Sequence, residues 1–269
     1  MSLDLYEKNN SNKTANGDTL LSLASHELRT PLSIIKWYTE MLLDGDAGPL
    51  TVDQSKYLKT IQSSNQRAID LIRSLLNVSR LDLDTFSIIP TDTDLRFLVK
   101  QIISENKSIL DEKKIAVEES YLGSTPGTVG VLHADKQICL VILRILFTNA
   151  ILFSKENSSI SVHIQEMKQG EMAGSKIISD DSFVVSFVDS GIGIPEEDKE
   201  NIFSKFFKAS NAINEDSKGA GLSLYIVKLI LSKTGGDVWF TSTLNKGSTF
   251  YVAFPKSGMP LKQGKTTLD

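Results

Sequence analysis

The 269-residue chain carries 29 basic and 33 acidic side chains, a net charge of −4, with 41% apolar and 23% charged residues. That balance suits a folded globular protein and supplies no basic field for a general nucleic-acid binder. One cysteine, Cys139, excludes an internal disulfide framework and any multi-cysteine metal site, and three scattered histidines (His26, His133 and His163) exclude a histidine-rich one.

Residues 1–19 are polar and Asn-rich and read as a disordered lead. From residue 20 to about 84 the period is helical. Leu21, Ala24, Leu28, Pro31, Ile35, Tyr38 and Leu42 step by three and four, the seam of a coiled coil or bundle. "DGDAGPL", residues 44–50, breaks that helix, and Thr51 with Gln54 has the spacing of a capping box that restarts it. A second seam follows through Leu58, Ile61, Asn65, Ala68, Ile72 and Leu75. Two long helices with a short loop predict an antiparallel hairpin. One hairpin has too little core to stand alone, so the expected assembly is a homodimer pairing two into a four-helix bundle.

"LASHELRTPLS", residues 23–33, sits in the first of these helices. If Ala24 and Leu28 face the bundle core, His26 points outward. Glu27 is beside it, and Thr30 lies one turn after Glu27. Pro31 cannot donate to the Glu27 carbonyl, so the backbone there is expected to be weakened or kinked. An exposed imidazole with an adjacent carboxylate to orient it and take its proton can act as a nucleophile. The bland alternative is a solvated surface histidine.

Residues 85–91 read as a linker, and the pattern then turns to mixed α/β over 92–257. Asp94 to about Lys113 reads as a helix and "KKIAVEES" as a strand. His133 to Ser154 is a strongly apolar helix, although Arg144 interrupts its longest run, so no stretch is expected to approach the ~18 residues of a membrane span. "SISVHIQ" alternates, with Ile160, Val162 and Ile164 on one face. "FVVSFV" is a buried strand, "KQGEMAGSKIISDD" a hairpin loop, and Gly221 to Lys233 a helix. "DVWFTS" and "TFYVAF" are closing strands, and residues 258–269 read as a disordered tail. The irregular alternation predicts an α+β sandwich, with helices covering one side of a sheet.

Three stretches suggest a nucleotide. In "FVDSGIGIP" a buried strand delivers Asp189, an acceptor for an exocyclic amine, and Gly191 and Gly193 let the backbone approach a ligand. In "GAGLSLYIVKLI" the glycines from Gly219 lead into a helix whose free amides favour a phosphate. In "LFTNAILFS" Asn149 is polar within an apolar helix and either caps core hydrogen bonds or gives an oxygen to magnesium. Between the first two, Phe203 and Phe206 read as an aromatic anchor for a polar lid.

Taken in order, "SHELRTPL", "LFTNA", "DSGIGIP", "IFSKFF" and "GAGLSL" resemble the H, N, G1, F and G2 boxes of bacterial sensor histidine kinases, a likeness running from about Leu20 to Pro255. The resemblance implies a dimerisation and histidine-phosphotransfer hairpin at 20–84. It implies an ATP-binding domain at 92–257, of the fold shared with gyrase and mismatch-repair ATPases. By the same likeness His26 takes a phosphoryl group from Mg-ATP and passes it to an aspartate of a response-regulator receiver domain. Glu27 is then the activating acid and Thr30 the position that helps dephosphorylate the regulator. Asn149 matches the Mg2+ ligand and Asp189 the adenine-reading acid. Gly191, Gly193, Gly219 and Gly221, with the adjoining Leu222, match positions around the nucleotide, and Lys208 a basic residue near the phosphates. A cytoplasmic location is implied, with membrane contact only through a sensor region outside this chain. Three departures stand out: Ile145 for an asparagine, Leu152 for a lysine and Ser223 for a glycine, with Lys155 a possible substitute for the lysine. They motivate the alternative of a catalytically weak dimeric scaffold or nucleotide-gated switch.

Overall fold

A computed structural model describes residues 27–123, 129–213, 219–264 and 266–268. The expected lead at 1–19 and His26 lie outside the described residues. The chain divides into two compact units, one ending at Thr85 and the other beginning at Phe86.

The first unit is a helical hairpin. Helix α1, described over 27–44, stays helical through Pro31, so the proline does not end it. Gly45 closes the helix at φ +88°, and the Asp46 N–H returns to the Met41 carbonyl at 3.1 Å. Helix α2 (Val52–Asp82) opens on the expected capping box. The Thr51 side chain accepts from the Gln54 N–H, and the Gln54 side chain accepts from the Thr51 N–H. Buried Asn65 ties the helices together, its Nδ2 donating to the Leu32 carbonyl at 2.8 Å. Seam residues Leu28, Ile35, Tyr38, Ile61 and Leu75 remain exposed on the single chain, whereas Thr39 is buried. Much of the apolar stripe read from the sequence is therefore uncovered in the single hairpin, while Asn65 on the second seam makes a contact inside it. Beyond the end of α2 the chain turns at Asp84, a non-glycine residue at φ +58°, with the Thr85 N–H on the Arg80 carbonyl at 3.0 Å.

The second unit is an α+β sandwich. Strands β1 (Thr91–Asp94) and β3 (Val131–Ala134) pair antiparallel, and helices α3 (Leu95–Glu105) and α4 (Lys107–Lys113) follow β1. The five-stranded sheet contains β2 (Ala116–Leu122), β4 (Ser159–Met167), β7 (Ser182–Asp189), β8 (Asp237–Thr243) and β9 (Gly247–Pro255), in the order β2-β4-β7-β9-β8. Only the β2–β4 pairing is parallel. Helix α5 (Lys136–Phe153) packs on β7, with Phe147 and Phe187 centroids 6.0 Å apart, and α7 (Ser223–Thr234) packs on α5 and β8. Ile160, Val162 and Ile164, the alternating face of β4, are wholly buried. On the other face the small hairpin of β5 (Met172–Ala173) and β6 (Lys176–Ile177) is held by Trp239, whose Nε1 donates to the Ala173 carbonyl at 2.9 Å. A short α6 (Ser210–Ile213) precedes α7.

Several sequence expectations are corrected. The helix expected from Asp94 is two helices broken at Asn106, and the helix expected from His133 begins after strand β3. "TDTD" of β1 has no apolar alternation to announce a strand. Helix α5 is long and apolar enough to cross a membrane by length and composition, despite Arg144; here it is a core helix, with Cys139, Ile142, Leu143, Leu146 and Phe147 fully buried. Arg144 turns to Glu105 at 2.9 Å. Within the supposed linker, Phe86 and Ile88 are fully buried. The supposed disordered tail pairs with them, through bridges Phe86–Thr266 and Ile88–Lys262.

Candidate functional site

Where β7 ends, Asp189 enters a pocket walled by the C-terminal end of α5, the G1 loop, α6 and the start of α7. Asp189 is 8% exposed. Its Oδ1 accepts the N–H of Gly191 at 2.8 Å and of Ser248 at 3.2 Å. Its second oxygen takes no hydrogen bond among the described residues and is left for a ligand. Burial pushes the carboxyl above the usual carboxylate range, and the two backbone N–H bonds pull it part of the way back.

Of the residues singled out in the sequence, Asn149, Asp189, Gly193, Lys208, Gly219 and Gly221 line this one pocket. The others do not. Lys155 is exposed just after α5 and does not line the cavity. Leu222 is buried as the residue capping α7. Gly191 packs behind the pocket wall, where a Cβ would stand 2.1 Å from the Phe153 carbonyl oxygen. Gly193, at φ +65°, would place a Cβ 2.1 Å from the Thr243 carbonyl oxygen. The G1 glycines thus permit close approach of backbone to backbone, and Gly193 also lines the pocket. Gly219 differs, since a Cβ there meets nothing within 4 Å.

Asn149 is half-buried at the end of an otherwise apolar helix, and its side chain makes no hydrogen bond among the described residues. An amide oxygen at a pocket wall fits Mg2+, which keeps several waters and takes one or two protein oxygens beside phosphate oxygens. Among the described residues no group of three or more His, Cys, Asp or Glu side chains is placed to hold a metal ion. Leu152 lines the same wall where the kinase pattern has a lysine, and Ser223 lines it at the first residue of α7. Among the described residues no side chain caps α7, which leaves its first amides to meet an anion.

Four contributors escaped the sequence reading. Ser248 and Asn211 line the pocket; Ser248 braces Asp189, and Asn211 Nδ2 donates to the Gly193 carbonyl at 2.9 Å. Gly247 lets β9 pass Asp189, where a Cβ would sit 2.0 Å from the Asp189 carbonyl oxygen. Lys113, far off in sequence, donates to the carbonyls of Ile151 at 2.8 Å and Leu152 at 3.1 Å and so caps α5 beside the pocket. Only "GST" before an alternating strand hinted at the Ser248 turn. Phe203 packs edge-on against Phe240 at 5.9 Å as an anchor should, whereas Phe206 is exposed at φ +64°. Of the expected lid, residues 214–218 lie outside the described residues.

In the helical unit, Glu27 and Thr30 are both exposed on α1, one turn apart. Near them Arg29, Ser33, Ile34 and Trp37 form an exposed face with Thr30.

Two family models match the chain. Residues 18–84 match the His Kinase A (phospho-acceptor) domain, and residues 134–258 match the histidine kinase-, DNA gyrase B- and HSP90-like ATPase domain. The circadian input-output histidine kinase CikA of Synechococcus elongatus is 30% identical over 90% of this chain and 30% of its own length. The sensor protein SrrB of Staphylococcus aureus is 28% identical over 86% of this chain and 37% of its own length. The chain thus spans about a third of the curated relatives it matches. Full-length ShkA, solved in complex with AMPPNP, superposes with a TM-score of 0.65 at 22% identity, over 92% of this chain and 47% of that one. Histidine kinase ThkA, solved in complex with the response regulator TrrA, gives 0.58 at 22%, over 94% and 67%.

Proposed function

The chain belongs to the sensor histidine kinases, and from that premise we propose that it is a kinase core that moves the γ-phosphoryl group of ATP to His26 and on to an aspartate of a response regulator. The observation that carries the reading is Asp189, with one oxygen held by two backbone N–H groups and the other open to a pocket shared with Asn149 and Lys208.

Adenine sits against Asp189, its exocyclic amine donating to the open oxygen. The phosphates run toward Lys208 and the first amides of α7. The Asn149 side-chain oxygen would hold a Mg2+ ion, which when bound would neutralise charge gathering on the phosphate oxygens. A ring nitrogen of His26 attacks the γ-phosphorus, the bond to the bridging oxygen breaks, and ADP leaves. Glu27 orients the ring and takes its proton. Thr30, one turn on, serves the reverse chemistry, helping water remove the phosphoryl group from the regulator. Two copies pair along the exposed seam of α1 and α2, and the core works in the cytoplasm, where ATP and the regulator are.

The test is labelled phosphate from γ-labelled ATP. His26→Gln abolishes acid-labile label while nucleotide still binds, and Asp189→Asn weakens both. Normal labelling of the His26 variant overturns the assignment. A second reading, a nucleotide-gated scaffold of weak catalytic power, is favoured by Leu152 on the pocket wall and by Lys155 outside it. Its mark is ATP binding by the unaltered chain with no label on His26.

A further inference from the structure

The segment after β9 lies past the ATPase family match, which ends at residue 258, yet it is knitted into the second unit. Its neighbours are the residues by which the chain enters that unit. The Ser87 N–H and Oγ both donate to the Thr266 carbonyl, at 2.8 and 2.9 Å. Ile88 and Lys262 exchange backbone bonds at 2.9 and 3.0 Å. The Lys262 ammonium lies 4.0 Å from the Phe86 ring centroid. Gly264 passes so close that a Cβ would stand 2.3 Å from the Phe86 carbonyl carbon. The Met259 N–H donates to the His133 carbonyl at 3.0 Å, which fixes the start of the segment to β3, and Met259 and Leu268 are buried.

We infer that residues 258–264 and 266–268 act as a strap that fastens the entry segment 86–88 to the ATP-binding unit, and so sets how freely that unit moves when it delivers phosphate to the helical stem. The strap shortens the linker read at residues 85–91 to a free joint of a residue or two. Thr85 is already bonded back to Arg80, and Phe86 is the first strapped residue. A tether this short restricts the arcs open to the catalytic unit, because each residue removed from a flexible joint removes soft backbone dihedrals. The strap is independent of the pocket, since none of its residues lines it. Its effect on phosphoryl transfer rests on the kinase reading above; its hold on residues 86–88 does not.

The experiment compares the full chain with a chain ending at Lys256 and with Gly264→Val, which keeps the length but fills the close approach. Chymotrypsin cleavage at Phe86 is the first readout. We expect the full chain to resist and both altered chains to be cut at least tenfold faster. Equal rates in all three overturn the strap. The second readout is autophosphorylation beside ATP affinity. The strap changes the rate at least threefold with affinity held within twofold, and an unchanged rate overturns the regulatory part. If the full chain binds ATP but takes no label, the kinase reading fails while the cleavage comparison still decides the strap.

Discussion

Asp189 holds a charge inside a wall of apolar and backbone atoms, and that placement carries a sign. Its folded-state pKa lies above the ordinary value of 3.8, so the folded state binds more protons than the unfolded one between the two. This group's contribution to stability is therefore fullest below pH 3.8 and is lost as pH rises through its raised value. ATP affinity runs the other way, because an ionised oxygen is the better acceptor. Affinity is expected to weaken as pH falls through a range lying above 3.8, which calorimetry across a pH series measures. Asp189→Asn removes the buried charge and turns an amide donor toward the adenine amine. Losing a charge-assisted bond of ~1.5–3 kcal/mol weakens ATP binding roughly 10- to 100-fold. The melting temperature at pH 7 should stay level or rise. The glycines give a second contrast at this scale. Gly191→Ala forces a methyl against the Phe153 carbonyl and is expected to cost about 1–3 kcal/mol, whereas Gly219→Ala, facing open space, stays within about 0.5 kcal/mol. Thermal unfolding of both variants separates self-packing from ligand contact; equal losses would refute the distinction.

Among the elements, what the sequence disclosed and what it hid follow a physical line. Signals that are local were legible: the capping box at Thr51, the alternating face of β4, the glycine stop of α1. So was the acid at the end of β7, because a buried strand running into "DSGIG" exposes its chemistry in one window. Hidden features depended on partners distant in sequence. Strand β1 is recognisable only from β3, some forty residues on, with buried Thr93 donating to the Ala134 carbonyl at 2.8 Å. Periodicity also marked an apolar stripe on α1 without saying whether its own hairpin or another copy covers it. The cap of α5 by Lys113 belongs to the same class. Lys113→Met keeps the aliphatic stem but strips the donors from carbonyls beside the pocket. It is expected to destabilise the second unit by about 1–2 kcal/mol and to weaken ATP binding several-fold through the displaced end of α5. Denaturant unfolding with nucleotide titration checks both.

For the whole molecule, the exposed stripe of Leu28, Ile35, Tyr38, Ile61 and Leu75 is the strongest argument for pairing, because single copies rarely leave so much aligned apolar surface in water. Ile35→Glu with Tyr38→Glu places two charges on that stripe. Light scattering is expected to report a dimer for the unaltered chain and a monomer for the variant, with ATP affinity within twofold; a variant that stays dimeric removes the stripe from the interface. One carboxylate shapes the second unit more broadly than its size suggests. Asp135 accepts the first amides of α5, from Gln137 and Ile138, on one oxygen and the Ile89 N–H on the other. The segment before β1 and the central helix are therefore fastened to one carboxylate. Solvent exchange at the Ile89 amide, although its side chain faces water, is then governed by disruption of the core helix and not by fraying of a surface segment.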